Sequence, residues 1–283
     1  MAVYVACLNI AYACRMMGAQ QRQRTGNAGI HRLAIEVQRN GKHAVLHHAD
    51  SAVEAALLDR AGCVPQQGRG RGEVFRFPLH DGWGILRPYR RGGAIRFLIK
   101  DAYLLDNRPL REWAVHTYLF EQGFAVAEPL GVVWEKRGIA YRGAIATREV
   151  IACDLGEFAL AHSEHWKPLM ELVGVHVRAM HDLGVYHADL QIKNILVTRD
   201  SGSLVFIDWD NARRSPSVSP MQRSRNLLRL RRSCEKNGLD PSCFDAIRKG
   251  YGTLRVPVWL EALYRWKGGL SDAAGSRKRR HAG

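Results

Sequence analysis

Long apolar runs are missing from this chain: nowhere do about eighteen uncharged apolar residues follow one another, so no segment reads as a membrane-spanning helix. Paired cysteines are missing too. The six present, Cys7, Cys14, Cys63, Cys153, Cys234 and Cys243, have neither disulfide-framework spacing nor a ligand pattern with histidine. Reduced thiols in a cytosolic compartment are the simplest account. Twelve histidines, including His47-His48, lack suitably spaced cysteine or acidic partners, which argues against a zinc site. Acidic residues are scarce, 27 against 42 basic ones, and the net charge of +15 calls for a polyanionic neighbour. Nucleic acid and an anionic membrane face both answer that description. No aromatic RNP-type motif accompanies the charge, so RNA is the weaker reading.

With 46% hydrophobic and 24% charged residues the composition is that of an ordinary folded protein. A length of 283 residues allows one large domain or two lobes. Met1 to Ala13 is apolar, but no basic segment precedes it and Arg15 follows, which argues against a signal peptide. Residues 1–49 show no sustained periodicity and are expected to be a poorly ordered extension, a start placed too early being a further reading. Residues 271–283, with Arg277-Lys278-Arg279-Arg280, read as a basic disordered tail.

Against this background one stretch stands out. His187-Ala188-Asp189 is followed by Asn194 and the apolar run Ile195-Leu196-Val197. A second run, Leu204 to Ile207, ends in Asp208. Asp200-Ser201-Gly202 between the runs is a turn signal, so they read as a hairpin that brings Asn194 and Asp208 to one end, beside the loop carrying Asp189. Phosphoryl transfer needs this combination: a carboxylate to accept the proton of the attacking hydroxyl, and an amide with a second carboxylate to hold the metal ions that bridge the phosphates. Either piece alone is common by chance. Their order and spacing, behind a helix predicted over Trp166 to Leu183 with Gly184 as its C-terminal cap, weigh against coincidence.

At these residues the chain resembles the protein-kinase-like superfamily. Two further segments narrow the likeness: Gly84-Ile85-Leu86-Arg87-Pro88-Tyr89-Arg90-Arg91-Gly92-Gly93, with Lys100-Asp101-Ala102-Tyr103 and Leu110-Arg111-Glu112-Trp113 after it, and Arg225-Asn226-Leu227-Leu228-Arg229-Leu230-Arg231-Arg232-Ser233. Together they are similar to the lipopolysaccharide kinases, most closely those acting on 3-deoxy-D-manno-octulosonic acid (Kdo), from about Gly68 to Lys236.

That resemblance implies Asp189 as catalytic base and Asn194 and Asp208 as ligands of Mg2+. It puts Gly68, Gly70 and Gly72 over the phosphates of ATP, where glycine lets backbone N–H groups approach closely. Val74 to Phe77 would be the strand leaving that loop. The usual phosphate-contacting lysine is replaced by Arg87, whose natural partner is Glu112 in a helix over Pro109 to Gln122; Arg90 is the alternative to Arg87. His187 would brace the catalytic loop. Glu149, in the segment 147–150, would belong to the hinge whose backbone meets adenine.

The expected fold is α+β and two-lobed, protein-kinase-like, with a small antiparallel-sheet lobe over 50–152, a larger and mainly helical lobe over 153–270, and ATP in the cleft. The expected function is phosphorylation of a Kdo hydroxyl in the lipopolysaccharide inner core (Kdo-lipid A as acceptor) by a peripheral protein on the cytoplasmic face of the inner membrane. Arg223, Arg225, Arg229, Arg231 and Arg232 would supply a basic helix face toward the anionic membrane or the acceptor. Two rivals are a small-molecule kinase of the aminoglycoside or choline type, to which Ile207-Asp208-Trp209 is also similar, and a non-catalytic binding pseudokinase.

Overall fold

The computed structural model of the protein describes residues 34–66, 73–89, 107–137, 140–162, 166–254, 257 and 259–260. The chain divides into two compact units, 1–151 and 152–283.

The first unit is built on a seven-stranded antiparallel sheet in the order β1-β2-β6-β7-β5-β4-β3. The strands are β1 (Ile35–Arg39), β2 (Lys42–Leu46), β3 (Val64–Gln66), β4 (Val74–Leu79), β5 (Gly82–Pro88), β6 (Pro129–Arg137) and β7 (Ala140–Arg148). Residues 35–46 therefore correct the expectation that everything up to residue 49 is a poorly ordered extension. The reason is local: Asn40 and Gly41 both take positive φ (52° and 76°), the conformation of a two-residue hairpin turn whose twist matches that of the strands. Residues 1–33, like the basic tail 271–283, lie outside the described residues.

Strand alternation sends side chains to two faces of this sheet. Ala44, Leu46, Leu86, Val133, Ala144 and Ala146 form one core with Val53, Ala56, Leu57 and Leu58 of helix α1 (Ser51–Asp59), which Asp50 caps by accepting from the N–H groups of Ala52 and Val53. Val45, Val132 and Ile145 face the other way and pack with Trp113 of helix α2 (Arg108–Glu121). Pro109 near the start of α2 supplies no N–H where none is needed, and the Asn107 side chain accepts from the N–H of Leu110.

The second unit carries β8 (Ala152–Asp154), α3 (Leu155–Ala161), α4 (Trp166–Asp182), β9 (Val185–His187), a 3-10 turn (Ile192–Asn194), β10 (Ile195–Thr198), β11 (Leu204–Phe206), β12 (Ala212–Arg214), α5 (Pro220–Lys236) and α6 (Ser242–Tyr251). The predicted hairpin is present: β10 pairs with β11 in the register Ile195↔Phe206, Leu196↔Val205, Val197↔Leu204. Helix α4 buries Leu169, Val173, Val177 and Met180, the helical spacing visible in the sequence, and Gly184 follows it at φ 77°. It lies against α6 at two glycines. A Cβ on Gly174 would stand 2.0 Å from the Ile247 carbonyl oxygen, and one on Gly250 1.8 Å from that of Glu171.

Candidate active site

Within the second unit, β9 and β12 pair so that Ala212 lies opposite His187, which returns the chain after Asp208 to the start of the loop 187–194. The N–H of Ile207 donates to the carbonyl oxygen of Asn194 at 3.0 Å, continuing the hairpin ladder by one step. Asn194 and Asp208 thus stand at the same open end of the hairpin. The Asn194 side chain donates through Nδ2 to the carbonyl oxygen of Asp189 at 2.9 Å, which fixes the amide and leaves Oδ1, the atom able to ligate a cation, on its other side. Asp208 is exposed and adopts φ 66°. A left-handed backbone at a residue other than glycine costs on the order of 1 kcal/mol, least for Asp and Asn, and such costs gather at functional sites.

Asp189 itself is half-buried. Its N–H donates to Nδ1 of His187 at 3.2 Å, and Gln191 donates through Nε2 to its carboxylate oxygen Oδ1. Since Nδ1 of His187 accepts, the ring proton sits on Nε2, where it points to the Ile207 carbonyl oxygen at 3.4 Å. The ring packs on buried Trp209, their centroids 4.8 Å apart. Burial pushes the His187 pKa below its ordinary value, so the imidazole is neutral and serves as a two-ended spacer between the two halves of the site.

Behind the loop runs a second chain of uncharged bonds. Asn226 of α5 donates through Nδ2 to the His187 carbonyl oxygen at 2.7 Å, and its Oδ1 faces Nε2 of His181 at 2.9 Å. Nδ1 of His181 then accepts from the Tyr251 hydroxyl, also at 2.9 Å. Burial lowers the His181 pKa to about 4, which keeps the ring in the neutral form these bonds require. Two turns after Asn226, the Ser233 hydroxyl accepts from the N–H of Ile192 at 3.1 Å. The segment 225–233 therefore clamps the loop 187–194 at His187 and Ile192 through Asn226 and Ser233, a role its arginines hide in the sequence.

Those arginines do not form one free face. Arg223 is taken up by Asp182 (2.8 Å) and by the carbonyl oxygens of Val218 and His181, and Arg231 pairs with Glu235 at 2.9 Å. Arg225 is exposed, while Arg229 and Arg232 are half-buried.

In the first unit, Arg87 on β5 pairs with Glu112 on α2. Glu112 is only 2% exposed, and its other carboxylate oxygen accepts from the Tyr89 hydroxyl. Burial, then the neighbouring Glu112 carboxylate, holds the Tyr89 phenol well above its usual pKa, so it remains a donor. One turn along α2, His116 donates through Nε2 to the Ala127 carbonyl oxygen at 2.7 Å, and burial lowers its pKa to about 4. Glu149 gives its N–H to the Trp83 carbonyl oxygen at 2.8 Å and its carboxylate to Arg76 at 2.8 Å. The N–H and the carboxylate of Glu149 are thus both engaged within the first unit. Gly68, Gly70, Gly72 and Arg90 lie outside the described residues; the glycine segment joins β3 to β4, the strand beside β5.

Among the described residues no group of three or more His, Cys, Asp or Glu side chains could hold a metal ion by itself. Asn194 and Asp208 instead suit an ion such as Mg2+, which takes one or two protein ligands and completes its shell with phosphate oxygens and water.

Residues 40–251 match the family described as Lipopolysaccharide kinase (Kdo/WaaP) family. A 3-deoxy-D-manno-octulosonic acid kinase of Vibrio cholerae serotype O1 is 32% identical over 199 residues, 68% of this chain and 83% of that protein. Another, of Xylella fastidiosa (strain 9a5c), is 32% identical over 197 residues, 66% of this chain and 75% of that protein. The solved structure "WaaP in complex with acyl carrier protein" aligns over 81% of this chain and 90% of its own at TM-score 0.51 and 21% identity, a likeness of fold. The fold is thus kinase-like and α+β, and the matched region begins ahead of Gly68, inside the β1–β2 hairpin.

Proposed function

The chain belongs to the lipopolysaccharide kinase (Kdo/WaaP) family and is a phosphotransferase acting on a sugar hydroxyl of the lipopolysaccharide core, and we propose that its acceptor is Kdo in Kdo-lipid A and its donor Mg-ATP. The observation that carries this reading is the convergence of Asp189, Asn194 and Asp208 on one loop and one hairpin end within a chain of this family. Asp189 takes the proton of the attacking sugar hydroxyl as its oxygen bonds to the γ-phosphorus and the bond to the ADP oxygen breaks. Gln191 occupies one carboxylate oxygen and so orients the other. Asn194 and Asp208 would hold Mg2+, which would supply positive charge to offset that of the phosphates. Arg87, fixed by Glu112, would offer the phosphates a planar fork of donors.

Family membership does not favour an aminoglycoside or choline type of kinase, and intact Asp189, Asn194 and Asp208 weigh against a pseudokinase. No helix among the described residues is long and apolar enough to cross a membrane. With a net charge of +15 and an acceptor embedded in lipid, peripheral attachment at the cytoplasmic face of the inner membrane is the placement we favour.

Labelled ATP, purified protein and a panel of Kdo-lipid A, heptosylated core and an aminoglycoside, with mass spectrometry of the product, test the assignment. Transfer to Kdo-lipid A alone is expected. Preferential transfer to heptose or to the aminoglycoside would overturn it.

A further inference from the structure

Three groups in the chain of bonds behind the catalytic loop are reversible by themselves: a hydroxyl donates or accepts, an imidazole carries its proton on either nitrogen, and an amide can be flipped. The two ends of the chain are not. At one end stands the His187 carbonyl oxygen, which only accepts. Nδ2 of Asn226 therefore donates there, its Oδ1 accepts from Nε2 of His181, and Nδ1 of His181 accepts from the Tyr251 hydroxyl. At the other end stands Arg223 of α5, which only donates. Its Nη1 lies 3.4 Å from the Tyr251 hydroxyl oxygen and 2.8 Å from Asp182, while Nε and Nη2 go to the carbonyl oxygens of Val218 and His181. A guanidinium on the Tyr251 oxygen leaves the hydroxyl proton for His181, the direction that the His187 end also requires. One arrangement of protons on Tyr251, His181 and Asn226 makes every bond.

Tyr251, His181 and Asn226 are each at most 2% exposed, so water does not replace a lost partner. Without the Tyr251 hydroxyl, Nδ1 of His181 is a buried acceptor with no donor, a costly state. The ring relieves it only by turning or by moving its proton, and either step takes the Nε2 donor from Asn226 and slackens the hold of that amide on the His187 carbonyl. We propose that Arg223 and Tyr251, neither of which is bonded to the loop 187–194, are positioning residues for Asp189: they fix the direction of the hydrogen bonds through which Asn226 holds the loop. The ion pair of Arg223 with Asp182 thus serves the site at a distance, through three neutral groups. The inference rests on Asp189 acting as the base of the transfer proposed above.

Tyr251→Phe keeps the buried ring and removes only the hydroxyl. With Kdo-lipid A and Mg-ATP, well below the melting temperature, it should lower kcat about threefold to tenfold while KM for ATP and for the acceptor stay as in wild type. In an Asn226→Ala background the same change should have almost no further effect, since the link it works through is gone. Arg223→Met should follow the same pattern, and Arg223→Lys, which keeps a charged donor, should lose less. An unchanged kcat in Tyr251→Phe, or equal losses with and without Asn226, would overturn the inference, because a residue that only stabilises the fold behaves so. If Arg223→Met does not fold, Tyr251→Phe decides alone. NMR of protein isotope-labelled at the histidine ring nitrogens reads the same chain without the reaction: at neutral pH His181 should carry its proton on Nε2, and a proton on Nδ1 would overturn the relay. Failure of wild type to use Kdo-lipid A would strike the acceptor reading, while the labelled ring still judges the relay.

Discussion

The two units hold their candidate functional groups by opposite means. In the first, Arg87 is fixed by a charge: its partner Glu112 is buried, satisfied by the guanidinium and by the Tyr89 hydroxyl. In the second, Asp189 and its loop are fixed by neutral groups, namely His187, Asn226, His181, Tyr251 and Ser233. A positioning residue that carries charge adds its own field to the site; a neutral one does not. The groups that bond directly to the Asp189 loop are thus uncharged, while Arg87 is steadied by an anion that also limits its reach.

If chemistry resides in the second unit, the largest loss should come from Asp189→Asn, which keeps shape and removes the proton acceptor. Turnover should fall by about two to four orders of magnitude with ATP binding and melting temperature retained. Near-normal turnover would move the base elsewhere.

Acid should dissolve neutral packing of this kind. His181 in the second unit and His116 in the first have folded pKa values of about 4 against an ordinary 6.5. Well above pH 6.5 both are neutral whether folded or not, and their contribution is intact. As pH falls from 6.5 toward 4 the unfolded chain takes up protons that the folded one refuses, so stability declines by on the order of 3 kcal/mol for each. Thermal melts across that window read the loss. His181→Gln should flatten part of the slope, and an unchanged slope would mean that His181 is protonated in the folded protein.

Glu112→Gln breaks the charged brace. Arg87 is about one-third exposed and can turn to water, so the expected destabilisation is about 2 kcal/mol, below that of a fully buried pair, with a raised KM for ATP and little change in acceptor KM. An acceptor-specific defect would assign Arg87 to the sugar instead. Smaller still is the effect expected of Gln191→Ala, a loss of about tenfold in kcat at constant ATP KM, the worth of one hydrogen bond to a charged group. Full activity would show that Gln191 does not orient the base.

What the sequence made legible follows the same divide between local and distant. Asp189, Asn194 and Asp208 were readable because loop, hairpin and turn lie within about twenty residues of one another. The β1–β2 hairpin carries the local turn signal Asn40-Gly41, but its strands are only five residues each and Ala44-Val45-Leu46 runs apolar without alternation, so no sustained period marks it. Tyr89, Gln191 and the Asn226–Ser233 clamp were not legible. The partners of Tyr89, Asn226 and Ser233 are set by tertiary packing, whereas Gln191 meets Asp189 only through the local bend of the loop; around Asn226 the arginines suggest a surface while the amide itself is fully buried. Arg87 and Glu112 could be paired only through the family resemblance, since a strand and a helix separated by the segment 90–106 announce no contact.

Through Asn226 and Ser233, α5 is expected to act on the reaction by holding the loop that bears Asp189. A double-mutant cycle on turnover with Asp189→Asn and Asn226→Ala, each variant checked for an intact fold by its melting curve, tests it most directly. If Asn226 works by positioning Asp189, removing it should slow wild type about tenfold or more yet leave Asp189→Asn almost no slower than before. Losses that simply multiply would contradict the account and make the clamp and the base independent.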